Sequence, residues 1–154
     1  KSLLPSGYVS DDVLNTMPGL PDHWDVLEST REKTQFCLVT APARHFLNSS
    51  FTETKTSRRL EGYPCVMIHP LDAGECNIAD GSVCQIGNDR GQILIHAKYF
   101  EGVKRGVLVV ESLWPNKSYI GGIGVNSLTG ADPVAPVGGV AFHDNAVWIK
   151  AHDG

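Results

Sequence analysis

The feature that most constrains this chain is a series of short strand-like runs, each closed off by turn residues. From 92 to 99, Ile93, Ile95, Ala97 and Tyr99 alternate with Gln92, Leu94, His96 and Lys98, the two-residue period of a strand that rests one face on a core. Residues 82–86 form a second such run, and the turn residues 88–91 between the two predict a hairpin. Further β-favouring runs stand at 35–40 (QFCLVT), 65–69 (CVMIH), 107–111 (VLVVE) and 146–151 (AVWIKA). One short helix is predicted over 70–77. Two more are predicted near the start, one opened by Ser10 with Asp11 and Asp12 in its first turn, the other by Asp22 after Pro21. Short strands punctuated by turns predict an all-β barrel or sandwich with a few short helices.

At 154 residues the chain has the length of one domain. Residues 1–34 are expected to form an N-terminal extension with short helices, and residues 35–154 the β domain. Its 17 acidic residues outnumber the 13 basic ones, for a net charge of -4, which argues against a nucleic-acid partner. No stretch approaches the 18 or so apolar residues of a membrane span, and Pro5, Asp11, Asp12, Pro18, Pro21 and Asp22 interrupt the place where a secretory signal would stand. The chain opens at Lys1 rather than Met, as a trimmed chain or a piece of something longer would. Cys37, Cys65, Cys76 and Cys84 have no metal-finger spacing. They read as small apolar residues and free thiols, which points to the cytoplasm.

Two irregular regions, 41–59 and 120–140, are the places for polar chemistry on a β scaffold. The first holds Arg44, His45, Asn48, Ser49 and Ser50. Arg44 offers a planar fork for an anionic oxygen, and the Asn and Ser side chains can pair with the edge of a heterocycle. The same residues also suit turns and caps. The second region carries Gly121, Gly122, Gly124, Asn126, Thr129, Gly130 and Asp132, where glycines can bring backbone N–H groups close to a phosphate or flat ring, or simply form a surface loop. No Gly-x-Ser-x-Gly elbow supports a serine nucleophile. Trp114 and Trp148 suit either ligand stacking or a core edge.

Four segments taken in order carry a resemblance: 40–51 (TAPARHFLNSSF), 68–83 (IHPLDAGECNIADGSV), 88–91 (NDRG) and 124–147 (GVNSLTGADPVAPVGGVAFHDNAV). Together they resemble the C-terminal molybdopterin-dinucleotide-binding domain of the molybdopterin oxidoreductases, the family of formate dehydrogenases, nitrate reductases and dimethyl sulfoxide reductases. The resemblance implies a mainly β fold, a six-stranded double-psi β-barrel of the aspartate-decarboxylase-like kind. It implies a bis(molybdopterin guanine dinucleotide) cofactor carrying Mo or W, with Thr40, Arg44, His45, Asn48, Ser49, Ser50, Asn126 and Asp132 as contacts. His143 stands where many members have a lysine or similar polar residue after the phenylalanine, and Ala41-Pro42 replaces a commoner Gly-Arg step. Redox chemistry and the metal ligand are implied to lie in other domains of a parent oxidoreductase, with an iron–sulfur electron-transfer subunit as a further partner. The isolated domain is not expected to turn over, and its location would be periplasmic if a missing N-terminus carried an export signal.

Two other readings use the same barrel. One is a protein- or substrate-recognition module without cofactor. The other is a self-processing decarboxylase cleaved between Gly81 and Ser82, although Gly-Ser after Asp80 also makes an ordinary turn.

Overall fold

A computed structural model describes residues 28–30, 33, 35–131, 133–134, 139–140, 142–143 and 145–152. The two helices expected before residue 30 lie outside the described residues. Among the described residues there are eight strands: β1 (Phe36–Ala41), β2 (Cys65–Ile68), β3 (Val83–Asn88), β4 (Gly91–Tyr99), β5 (Val107–Glu111), β6 (Pro133–Val134), β7 (Gly139–Val140) and β8 (Asn145–Ala151). Six of them close into a barrel in the order β1-β5-β2-β4-β3-β8, while β6 and β7 pair separately. The barrel mixes directions: β1 with β5 and β2 with β4 are parallel, and the other ladders are antiparallel. This is the closed six-stranded architecture that the resemblance implied.

Alternation decides which side chains fill the interior. Ile93, Ile95 and Ala97 of β4 point inward with Leu38, Val66, Ile68, Cys84, Ile86, Leu108, Val110 and Val147, all of them buried. Each strand thus contributes one apolar face to a shared core, and closure removes the exposed edges an open sheet would leave. Gly87 answers a tighter requirement. It pairs with Trp148 across β3 and β8, and a Cβ placed on it would stand 2.2 Å from the indole. The missing side chain is the space that the tryptophan occupies.

Among the described residues there are two α-helices. Helix α1 (Lys55–Glu61) begins inside the stretch 41–59 expected to be irregular and runs two residues past it. It buries no residue, and Thr54 at its N-cap makes no side-chain cap bond, so neither the apolar period nor a used cap announces it. Helix α2 (Pro70–Glu75) begins as expected, with Pro70 in its first turn and His69 Nδ1 accepting from the Leu71 N–H at 3.2 Å. Its buried Asp72 accepts from Arg105 and from the Gly106 N–H, the latter at 2.8 Å, while Arg105 also donates to Glu75 at 2.6 Å. That carboxylate ties α2 to the turn leading into β5. Among the described residues, no helix is long and apolar enough to cross a membrane.

Two outcomes follow from this core. Gly87→Ala is expected to cost about 1–3 kcal/mol through overpacking, read by denaturant unfolding, and Trp148→Leu in the same chain should recover much of it. Burial pushes the Cys84 thiol up to about 12 from 9.0. Cys84 should therefore resist alkylation at pH 8 in the folded chain. Because the unfolded thiol ionises near 9 while the folded one stays protonated, its contribution to stability is complete below pH 9 and falls as pH rises toward 12.

Candidate functional site

Register alone brings distant segments to one rim. Parallel pairing sets Thr40 beside Val110 and Ala41 beside Glu111, so β1 and β5 end together. Antiparallel pairing sets Leu38 beside Asn145, and extending that register by two residues places His143 opposite Thr40. The side chains meet there, Thr40 Oγ1 lying 3.2 Å from His143 Nδ1. The β3–β4 turn reaches the same rim, because β3 runs antiparallel to β8 and ends beside its start.

A concavity of about 500 Å³ opens at this rim, lined by Thr40, Ala41, Pro42, Asn48, Ser112, Leu113, Asn126, Thr129, Gly130, Phe142 and His143. The two irregular regions singled out from the sequence therefore face one space. Its walls combine apolar surface from Ala41, Pro42, Leu113 and Phe142 with amide, hydroxyl and imidazole groups. Such a lining suits a flat heterocycle, whose faces want apolar contact and whose rim atoms want partners.

Each wall has its own support. The loop after β1 is pinned by buried Phe46, which packs edge-on against Trp114 with centroids 4.7 Å apart. Its tip closes through the reciprocal bonds of Leu47 and Ser50, Leu47 N–H to Ser50 O at 3.2 Å and Ser50 N–H to Leu47 O at 2.8 Å. Asn48 sits in that tip at a φ of 51°, a left-handed conformation that asparagine tolerates better than most residues. Ser112 fastens loop to barrel: its N–H donates to Ala41 O at 2.8 Å and its hydroxyl to Asn48 O at 3.2 Å. It does so at a φ of 70°, a backbone cost of about 1–3 kcal/mol for a residue with a Cβ. The opposite wall is a single 3-10 turn, Val125–Leu128, anchored by buried Val125 and Leu128 and presenting Asn126 outward. On the third side, buried Asn145 donates to Phe142 O at 2.9 Å and shapes the approach to β8.

The sequence-derived candidates divide accordingly. Thr40, Asn48, Asn126 and His143 are brought together in the concavity. Arg44, His45, Ser49 and Ser50 are exposed on the same loop but do not line it. There, the His45 N–H donates to Glu61 Oε1 at 2.5 Å, Ser49 O accepts from the buried Thr52 hydroxyl at 3.0 Å, and Ser50 closes the tip. Asp132 lies outside the described residues. The Gly121-Gly122 pair forms a turn with φ of 77° and 72°. Gly124 is buried where a Cβ would meet Asn116 Oδ1 at 2.6 Å, so these glycines serve packing and turning rather than the concavity. Trp114 is a core residue, and Ser82 sits in a turn, its hydroxyl donating to Ala79 O at 2.7 Å. Ser112 and Leu113 were missed, since only the parallel pairing of β1 with β5 reveals that they share the rim.

Comparison with known proteins adds family context to this geometry. A family model described as "Molydopterin dinucleotide binding domain" matches residues 36–147. A protein of Bacillus subtilis named as the probable oxidoreductase YoaE is 33% identical over 134 residues, covering 86% of this chain and 19% of that protein. A dimethyl sulfoxide/trimethylamine N-oxide reductase of Rhodobacter capsulatus is 39% identical over 83 residues, 49% of this chain and 10% of the other. Among solved structures, acetylene hydratase from Pelobacter acetylenicus superposes with a TM-score of 0.65 at 12% identity, over 79% of this chain and 19% of that one. The chain thus spans less than a fifth of each of these proteins.

Replacing Ser112 with alanine keeps the left-handed backbone but removes the hydroxyl bond to Asn48. Amide exchange through 47–51 should rise, with a loss of about 1 kcal/mol in stability. Unchanged exchange there would show that the loop holds itself.

Proposed function

Because the chain belongs to the molybdopterin dinucleotide-binding domain family, we propose that it holds bis(molybdopterin guanine dinucleotide), with molybdenum or tungsten, for an oxidoreductase whose reacting centre other domains complete. The observation that carries this reading is the convergence of Thr40, Asn48, Asn126 and His143, from three separate segments, on one concavity with apolar walls. A pterin is flat, with a dense rim of donors and acceptors, and each buried rim atom left unpaired costs about 1–3 kcal/mol. Amide and hydroxyl side chains meet that demand without adding charge. The group fits the donor set present.

In this reading Asn126 and Asn48 hold the pterin rim from opposite walls, and Thr40 and His143 close the third side. Arg44, with His45, Ser49 and Ser50, lies on the outward part of the loop and offers a cationic fork for the pyrophosphate. Asp132 would accept from the guanine edge. When bound, the group supplies the metal's redox couple; this chain's residues orient it and limit water around it. The partners are the remaining domains of the parent enzyme and an iron–sulfur subunit that delivers or removes electrons. None of the four cysteines is joined in a disulfide, which fits a reducing compartment, and we place the protein in the cytoplasm. Family membership favours this role over that of a recognition module without cofactor.

In the full-length protein, Asn126→Ala is expected to weaken cofactor retention about tenfold, the equivalent of one lost buried hydrogen bond. Metal analysis and the guanine nucleotide released on denaturation measure it. Wild-type content of both would remove Asn126 from the site.

A further inference from the structure

The Asn-Asp-Arg-Gly turn between β3 and β4 has no part in the function proposed above, yet its side chains reach both walls of the concavity. Arg90 Nε and Nη2 donate to the carbonyl of Leu128 at 2.9 and 2.7 Å, and Asn88 Nδ2 donates to that same oxygen at 2.8 Å. Three donors thus meet on the last residue of the 3-10 turn that presents Asn126. The third guanidinium nitrogen, Nη1, lies 2.7 Å from Glu28 Oε1, while Glu28 Oε2 accepts the Ala146 N–H at 2.8 Å. Ala146 is the second residue of β8, three residues after His143.

The 3-10 turn needs such a tie. It is four residues long, and its own backbone bonds are short-range, Ser127 N–H to Gly124 O at 3.1 Å and Thr129 N–H to Asn126 O at 3.3 Å. A single 3-10 turn has little cooperativity to hold its orientation. Val125 and Leu128 anchor it by burial, which is non-directional, so they leave rotation and sliding along the rim weakly fixed. The carbonyl of Leu128 fixes both, because a guanidinium fork on one oxygen is directional and charge-assisted. Gly91 completes the seat: a Cβ there would come within 3.3 Å of the Ser127 carbonyl. Asn88 Oδ1 accepts the Arg90 N–H at 3.0 Å, presetting the turn from which the guanidinium projects.

We propose that Arg90 is the positioning residue of this site: through the Leu128 carbonyl on one side and Glu28 with Ala146 on the other, it sets how far the Asn126 wall stands from the His143 wall. Arg90 does not line the concavity, so it acts on any ligand only through those walls. The inference rests on the reading of the concavity as the cofactor's seat.

The test uses the full-length protein with Arg90→Met, Arg90→Lys and, as reference, Asn126→Ala. Arg90→Met should raise amide exchange at Ser127 and Thr129 about tenfold, leave the β4 amides at wild-type rates, and speed cofactor release by a similar factor. Arg90→Lys, which restores charge but not the fork, should recover part of both. Wild-type exchange at Ser127 and Thr129 in Arg90→Met would overturn the proposal. So would raised exchange with unchanged release, provided Asn126→Ala does accelerate release. If Asn126→Ala leaves release unchanged, the cofactor reading of Asn126 fails, and exchange alone then decides the positioning role. Should Arg90→Met not accumulate, Glu28→Gln removes the orienting charge and supports the same comparison, with smaller expected changes.

Discussion

The site depends first on the double pairing of β1. On one edge this strand runs parallel to β5, on the other antiparallel to β8. Those two ladders fix which chain ends meet: the ends of β1 and β5, and the start of β8. Thr40 and His143 are 103 residues apart in sequence and become neighbours because the backbone ladders have already made them so. Closing loops of that length is entropically expensive, and the ladders and the apolar core offset it. The polar side chains at the rim are therefore free to be chosen for what they bind.

Around that fixed rim, the walls are built by unequal means. The loop after β1 relies on an aromatic contact in the core, between Phe46 and Trp114, together with a left-handed tip. The facing wall is one short turn whose last carbonyl is bonded by a side chain of another hairpin. Both walls are anchored by burial, Phe46 on one side and Val125 with Leu128 on the other, and both carry directed hydrogen bonds as well. A seat made in this way can be rigid at its base while its polar contacts remain adjustable by small shifts of backbone.

Much of this was legible in the sequence. The alternation through 92–99 marked the inward face of β4, and the six barrel strands lie within a residue or two of their expected places, because the others are short β-favouring runs bounded by turns. Helix α1 was not legible, since a helix that buries nothing leaves no apolar period. At the site, the resemblance named Thr40 and His143 and polar clusters in the long loops marked Asn48 and Asn126; the structure brings the four to one concavity. The same cue also drew in Arg44, His45, Ser49 and Ser50, which face outward, because composition records which loop is polar and not which way each side chain turns. Ser112 and Leu113 escaped notice for the converse reason. They are ordinary residues made significant by strand order, and no local pattern encodes the order in which strands close a barrel.

Glu28 carries a consequence for where this unit should be said to start. The family match opens at residue 36, and the first barrel strand opens there too. Yet the carboxylate that balances Arg90 and receives the Ala146 amide near the start of the final strand stands eight positions upstream. A fragment trimmed to the matched segment would keep every rung of the barrel while stripping the counter-charge from the cleft's hinge point. The boundary that homology draws around the fold is narrower than the one that electrostatics draws around the site.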